Sequence, residues 1–243
     1  MTSSLPAAAH FKIAADIDAA SLLAIDLSLS SLAYASRMAN GIPHCNGIEF
    51  RQADILQLAS LKPSFDFIIC TGVLHHMHEP MAGWRILNDL LRPGGMMYIG
   101  LYSELARQPL AIARNLINSR GLQPTPDNMR QLRMEILEGK HPELQVLLNW
   151  QDFYTLSMFR DMVFHVQEHL FTLPKIQSCL TELGLDFLCM AGLGPETMHA
   201  YRRMFPNDQR ATSLDNWTIF EQQNPLTFLC MYNFYVVKNG INS

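Results

Sequence analysis

Four short apolar runs constrain this chain more than any other feature: SLLAID at 21–26, IEF at 48–50, FDFIIC at 65–70 and MMYIGLY at 96–102. Each is too short for a helix and reads as a strand, SLLAID as one buried in a parallel sheet. Helix-length segments separate them. Ser28 or Ser30 caps one helix, whose Leu32, Ala35 and Met38 share a face and which Asn40-Gly41 stops. Residues 81–92 form another, with Trp84, Leu87, Leu90 and Leu91 at helical spacing, closed by the turn Pro93-Gly94-Gly95. Residues 7–19, with Phe11, Ala14 and Ile17 at spacing three after Pro6, form a helix ahead of the first run. Strands joined by crossovers this long belong to a parallel α/β sheet.

Beyond residue 102 the pattern changes. Met- and Leu-containing helical stretches, split by Pro124, Pro126 and Pro142, fill 103–170 and read as a helical insertion or cap. A helix at 174–183 ended by Gly184, a strand at 185–190 and a β-rich strand at 226–238 follow, while 191–225 shows no clear period. The chain therefore divides into 1–102, the insertion 103–170, and 171–243 as the rest of the first unit. With 243 residues and 49% hydrophobic content it can furnish a full core. A net charge of −4 and no dense Lys/Arg run give no nucleic-acid field. Five cysteines without C-x-x-C spacing point to reduced thiols. No signal-peptide pattern is visible and no apolar run reaches the roughly 18–20 residues that span a bilayer, so the expectation is a cytoplasmic protein without a membrane.

Taken together and in order, IDLS at 25–28, QADIL at 52–56, FDFIICTGVLHH at 65–76 and LLRPGG at 90–95 resemble the class I S-adenosylmethionine-dependent methyltransferases, over 7–102 and again at 172–238. The resemblance implies a doubly wound, Rossmann-like sheet with an antiparallel last strand inserted between the two before it, and S-adenosylmethionine as cofactor. By similarity, Asp26, with Leu27 beside it, accepts the ribose hydroxyls. Asp54 takes the adenine amino group, Ile55 covers the ring, and Cys70 and Thr71 offer backbone groups to the methionine part. Ligands of open α/β sheets do sit at the carboxyl ends of strands. Asp66 and Pro93-Gly94-Gly95 read as structural, Asp66 through local backbone hydrogen bonds. The implied reaction moves a methyl group to an unidentified O, N or C acceptor; the other class open is a non-catalytic interaction protein on the same scaffold.

His75 and His76, with His78 and Glu79, stand where the family meets its acceptor and are the weak candidates for a general base. A second group, His165, Glu168 and His169, matches the H-x-x-E-H zinc-peptidase pattern, which on a helix puts both histidines on one face. Its third ligand would be Glu196, Glu221 or His199 by guesswork, so zinc hydrolysis is the outlying alternative. A polar wall of the acceptor pocket including Asp161, or a plain amphipathic helix, competes with it. The aromatics from Trp150 to Phe171 read as helical core or a lid.

The resemblance also implies a strand and a glycine loop before residue 7, whereas the first glycine is Gly41. Loss of that strand would leave two strands without a neighbour. The expectation is a chain that starts late or is a fragment, against a degenerate homologue or a sheet that closes the gap.

Overall fold

The computed structural model of the chain describes residues 21–39, 48–164, 168–228 and 231–240. Their elements run β1 (Leu22–Asp26), α1 (Leu29–Ala39), β2 (Ile48–Gln52), β3 (Phe65–Thr71), α2 (Pro80–Leu90) and β4 (Leu91–Tyr102). Then come α3 (Gln108–Ser119), α4 (Pro126–Leu137), α5 (Leu156–Phe164), α6 (Leu173–Leu183), β5 (Leu185–Met190), α7 (Pro195–Met204), α8 (Leu214–Gln223) and β6 (Met231–Lys238). Short 3-10 turns cover Ile55–Ser60, Leu74–His76, Pro142–Asn149 and Gln151–Phe153. The expected helix at 7–19, the Asn40-Gly41 stop and His165 lie outside the described residues.

Helical crossovers make neighbouring strands parallel: β1 pairs β2 with Leu22 opposite Ile48, and β3 pairs β4 with Thr71 opposite Gly100. The larger sheet has the order β3-β4-β6-β5, and β6 runs antiparallel to both of its neighbours. The last strand is thus inserted between the two before it, as the resemblance implied. Among the described residues β1 and β3 each have a single hydrogen-bonded neighbour, so the strands form two sheets, β1-β2 and the set of four.

Among the described residues most buried hydrophobic side chains fall into two clusters. In the first, one face of the larger sheet (Met97, Ile99 and Leu101 of β4; Tyr232, Phe234 and Val236 of β6) packs against α2, α6 and α8 through Trp84, Ile176, Leu180 and Trp217. The second lies within 108–164, where Leu110, Leu132, Ile136, Leu147, Phe153 and Phe159 pack on one another. The aromatics Trp150, Phe153 and Phe159 are core side chains, whereas Tyr154 is exposed. Helix starts are set by side-chain caps, with Thr125, Thr172 and Ser213 accepting from the backbone N–H three residues on. Gly184, at φ 64°, ends α6 in the left-handed conformation that glycine adopts without strain.

Several expectations need correction. The helix expected over 81–92 stops at Leu90, and Leu91 already pairs with Phe65. Pro93-Gly94-Gly95 is therefore an irregularity inside β4, between the Phe65–Leu91 and Phe67–Met96 pairs, with Gly94 at φ 77°. In α1 the buried positions are Leu32 and Ala39, while Met38 is exposed. The region 191–225 holds α7 and α8, and the final strand begins at Met231 rather than 226. Asp66 pairs across strands with Arg92, whose guanidinium donates to both carboxylate oxygens at 2.7 and 2.6 Å, instead of with local backbone.

Candidate cofactor and acceptor site

Parallel pairing puts the carboxyl ends of β1 and β2 together, and with them Asp26 and Asp54. The Ala53 N–H donates to the Asp26 carbonyl at 3.2 Å, and the Gln52 side chain donates to the Leu27 carbonyl at 2.9 Å. Asp26 Oδ1 accepts the Ser28 N–H at 2.7 Å, a local turn that aims the carboxylate past the strand end. Asp54 caps the Ile55–Ser60 turn, its Oδ1 accepting the Leu56 N–H at 2.9 Å. Each acid thus spends one oxygen on its own backbone. The second oxygen of each has no protein donor among the described residues, so both are able to accept from a diol or an amine. Leu27 is exposed, a hydrophobic side chain held at the strand end. Ile55 packs against the cluster that contains Cys70 and Leu74, which ties the β1-β2 end to the larger sheet.

Cys70 and Thr71 end β3 and are both buried. Burial pushes the Cys70 thiol up to about 12, so it is an inert packing group and only its backbone is available to a ligand. Gly72, at φ 73°, turns the chain away from the sheet. The Leu74–His76 turn follows and brings both candidate histidines over the end of β4. The His75 ring lies 3.6 Å from the Tyr102 centroid, and His76 meets the same ring edge-on at 5.4 Å. His75 is fully buried and neither ring nitrogen has a well-formed hydrogen bond. Burial, then the neighbouring His76 and Arg107, push its imidazole down to about 2, with the Gly100 backbone pulling weakly the other way. His75 is neutral at every physiological pH and a poor proton acceptor. His76 is partly buried as a residue, with both ring nitrogens shielded from solvent.

Sequence reading missed the charged group beside these histidines. Arg107 stacks on Tyr102 with its guanidinium carbon 3.6 Å from the ring centroid, necessarily on the face opposite His75 because one face cannot hold two groups at that distance. Arg107 and Arg114 both donate to the Glu168 carboxylate, at 2.9 and 2.7 Å. Asp152 is raised, first by burial and further by Asp161, with Arg107 opposing. The residues of the zinc-peptidase pattern are placed differently from that pattern. Glu168 and His169 lie outside any helix, Glu168 is bound by two arginines, and Glu221 accepts from Ser103 and Tyr232 instead. Among the described residues no group of three or more His, Cys, Asp or Glu side chains is arranged to hold a metal.

Comparison with known proteins points the same way as the resemblance. A family described as "Methyltransferase domain" matches residues 7–99, the stretch that carries Asp26, Asp54 and the ends of β1, β2 and β3. Residues 7–99 are thus similar to that methyltransferase family. An uncharacterized protein of Synechococcus is 31% identical over 186 residues, covering 70% of this chain and 42% of its own length. A ubiquinone biosynthesis O-methyltransferase of Xanthomonas campestris is 33% identical over 73 residues, 30% of this chain and 29% of that one. The chain thus spans well under half of each relative. Among solved structures, PKMT2 from Rickettsia typhi, in complex with AdoHcy, superposes with a TM-score of 0.62 at 14% identity, covering 90% of this chain and 45% of that one. A SAM-dependent methyltransferase of Methanosarcina mazei gives 0.53 at 13% identity, covering 95% and 87%. At these identities the structures speak for the methyltransferase fold alone.

Proposed function

We propose that this chain is a class I methyltransferase that binds S-adenosylmethionine across the carboxyl ends of β1, β2 and β3 and transfers its methyl group to an O, N or C nucleophile. The observation that carries the reading is the pairing of Asp26 and Asp54 at adjoining strand ends, each with one oxygen committed to backbone and one left over. In this reading Asp26 accepts the ribose hydroxyls and Leu27 shields them. Asp54 accepts the adenine amino group with Ile55 against the ring, and the Cys70–Thr71 backbone meets the methionine part.

The cofactor supplies an electrophilic methyl on a sulfonium; transfer leaves the S–C electron pair on sulfur and, from an O–H or N–H acceptor, releases a proton. The chain's own part is mostly positioning, which can supply on the order of 7–11 kcal/mol of a barrier. His75 is a neutral packing group. His76, next to it, is the proton acceptor in this reading only where the acceptor displaces what shields its ring nitrogens.

The helical stretch 103–170 serves as the acceptor-side cap on a unit made from 1–102 and 171–243. The acceptor stays unidentified in this reading, and among the described residues no helix is long and apolar enough to cross a membrane. Backbone amide mapping with S-adenosylhomocysteine tests the placement. Shifts should gather at 26–28, 53–56 and 70–73; saturable binding with shifts elsewhere would refute it.

A further inference from the structure

The helical stretch leaves and rejoins the sheet through two adjacent strands of backbone. The Phe171 N–H donates to the Tyr102 carbonyl and the Glu104 N–H to the Phe171 carbonyl, both at 2.9 Å. Directly beside this root, the His169 N–H donates to the carbonyl of His75 at 2.8 Å. The returning segment is therefore bonded to the very loop that carries His75 and His76.

The side chains at the root are an ion pair. The Glu168 carboxylate is 3% exposed, Arg107 is 6% exposed and Arg114 27%. Burying such charges is costly and is offset only by good geometry, so an ion pair is a poor way to gain stability compared with apolar packing. It is a good way to fix one arrangement, because each guanidinium reaches one carboxylate oxygen from its own direction. Among the described residues the hydrophobic clusters on either side are separate, so the ion pair is a polar contact between two cores. From Arg107 the contact continues through the Tyr102 ring to His75.

We propose that Glu168, Arg107 and Arg114 are positioning residues: they clasp the root of the helical stretch to the His75–His76 loop, so that seating of that stretch sets where the loop stands beside the cofactor. The inference rests on the proposed function for its cofactor clause. Its structural part, coupling of root to loop, stands on the contacts alone. Acceptor held by the helical stretch would then be sensed at the loop.

The test is hydrogen exchange on the whole chain without cofactor, comparing wild type with Glu168→Gln and Arg114→Gln. Exchange should quicken about tenfold at 72–78 and 168–171 and stay unchanged in β4 and β6. Faster exchange confined to 108–164, with 72–78 at the wild-type rate, would overturn the proposal, since the clasp would then hold only the helices. Should Glu168→Gln fail to fold, Arg114→Gln removes the outer arm of the clasp and gives the same readout. The His76 imidazole resonances should also move in Glu168→Gln and return toward wild type in Glu168→Asp, which keeps the charge. Unmoved resonances would likewise count against it. Failure of wild type to bind S-adenosylhomocysteine would instead overturn the proposed function, a result distinct from an unmoved loop.

Discussion

Gly100 is where β3, β4 and β6 crowd together at the end that faces the candidate site. It lies opposite Thr71 on one side and Asn233 on the other. A methyl group at this position would stand 2.7 Å from Met231 Sδ, 2.9 Å from Thr71 Cβ and 3.0 Å from Asn233 Oδ1. The Met231 sulfur is near the end of a flexible side chain and can swing away. Thr71 Cβ is one bond from the β3 backbone, so widening 2.9 Å to an ordinary 3.4 Å contact requires the strand itself to yield. Overpacking of this kind costs about 1–3 kcal/mol. The strain falls on the residues proposed to meet the methionine part of the cofactor. Gly100→Ala should therefore lose about 1–3 kcal/mol in urea unfolding. It should also bind S-adenosylhomocysteine about tenfold more weakly, which corresponds to about 1.4 kcal/mol. Adding Met231→Ala should restore less than half of either loss, because the Thr71 contact remains. Wild-type stability in Gly100→Ala, or full recovery in the double variant, would refute the claim that β3 is held this tightly.

The Arg120 guanidinium and then His141 hold Glu135 from the usual 4.5 down to about 2, so its contribution is present above the ordinary carboxylate pKa and is lost as pH falls through about 2. At 1.36 kcal/mol per pH unit this is at most about 3 kcal/mol, trimmed by solvent at the exposed Arg120 to about 1–2 kcal/mol. Acid unfolding followed by circular dichroism should show that loss in wild type and not in Glu135→Gln. Glu221 moves the other way, raised by burial against the hydrogen bonds from Tyr232 and Ser103. Its contribution is complete below the ordinary Glu pKa and declines as pH rises through the raised value, so Glu221→Gln should flatten that decline in urea titrations at several pH values. Leu147→Ala should cost about 2–5 kcal/mol, with faster amide exchange confined to α3, α4 and α5 if the second cluster is a core of its own.

The strands were legible because they are written as short apolar runs, although β1 and β2 hold no buried residue, and the turn glycines and acids mark their carboxyl ends. LDFLCM gave β5 and Gly184 the end of α6 for the same local reasons. By contrast, α7 buries only Tyr201, so it has no apolar stripe to read. The stripe of α8, Leu214, Trp217 and Phe220, is diluted by polar neighbours, although Ser213 ahead of it is a cap signal. Inclusion of Pro93-Gly94-Gly95 in β4 depends on the pairing of Leu91 with Phe65, which no local pattern reveals. Asp26 and Asp54 could be named from the sequence as candidates, but not that each commits an oxygen to backbone. The Arg107–Glu168–Arg114 clasp was invisible because its partners lie 61 and 54 residues apart in sequence. Glu168 was legible only as part of a metal pattern, since burial against two arginines leaves no sequence mark.

Calorimetric titration of the protein with S-adenosylhomocysteine, wild type beside Asp26→Asn, tests the central claim most directly. Asparagine keeps a side-chain oxygen for the Ser28 N–H and removes the charge that the ribose would use. Loss of a charged hydrogen bond is worth about 1.5–3 kcal/mol. The account predicts saturable one-to-one binding that Asp26→Asn weakens by about ten- to a hundredfold with the fold intact. No binding by wild type, or equal affinity in the two proteins, would contradict it.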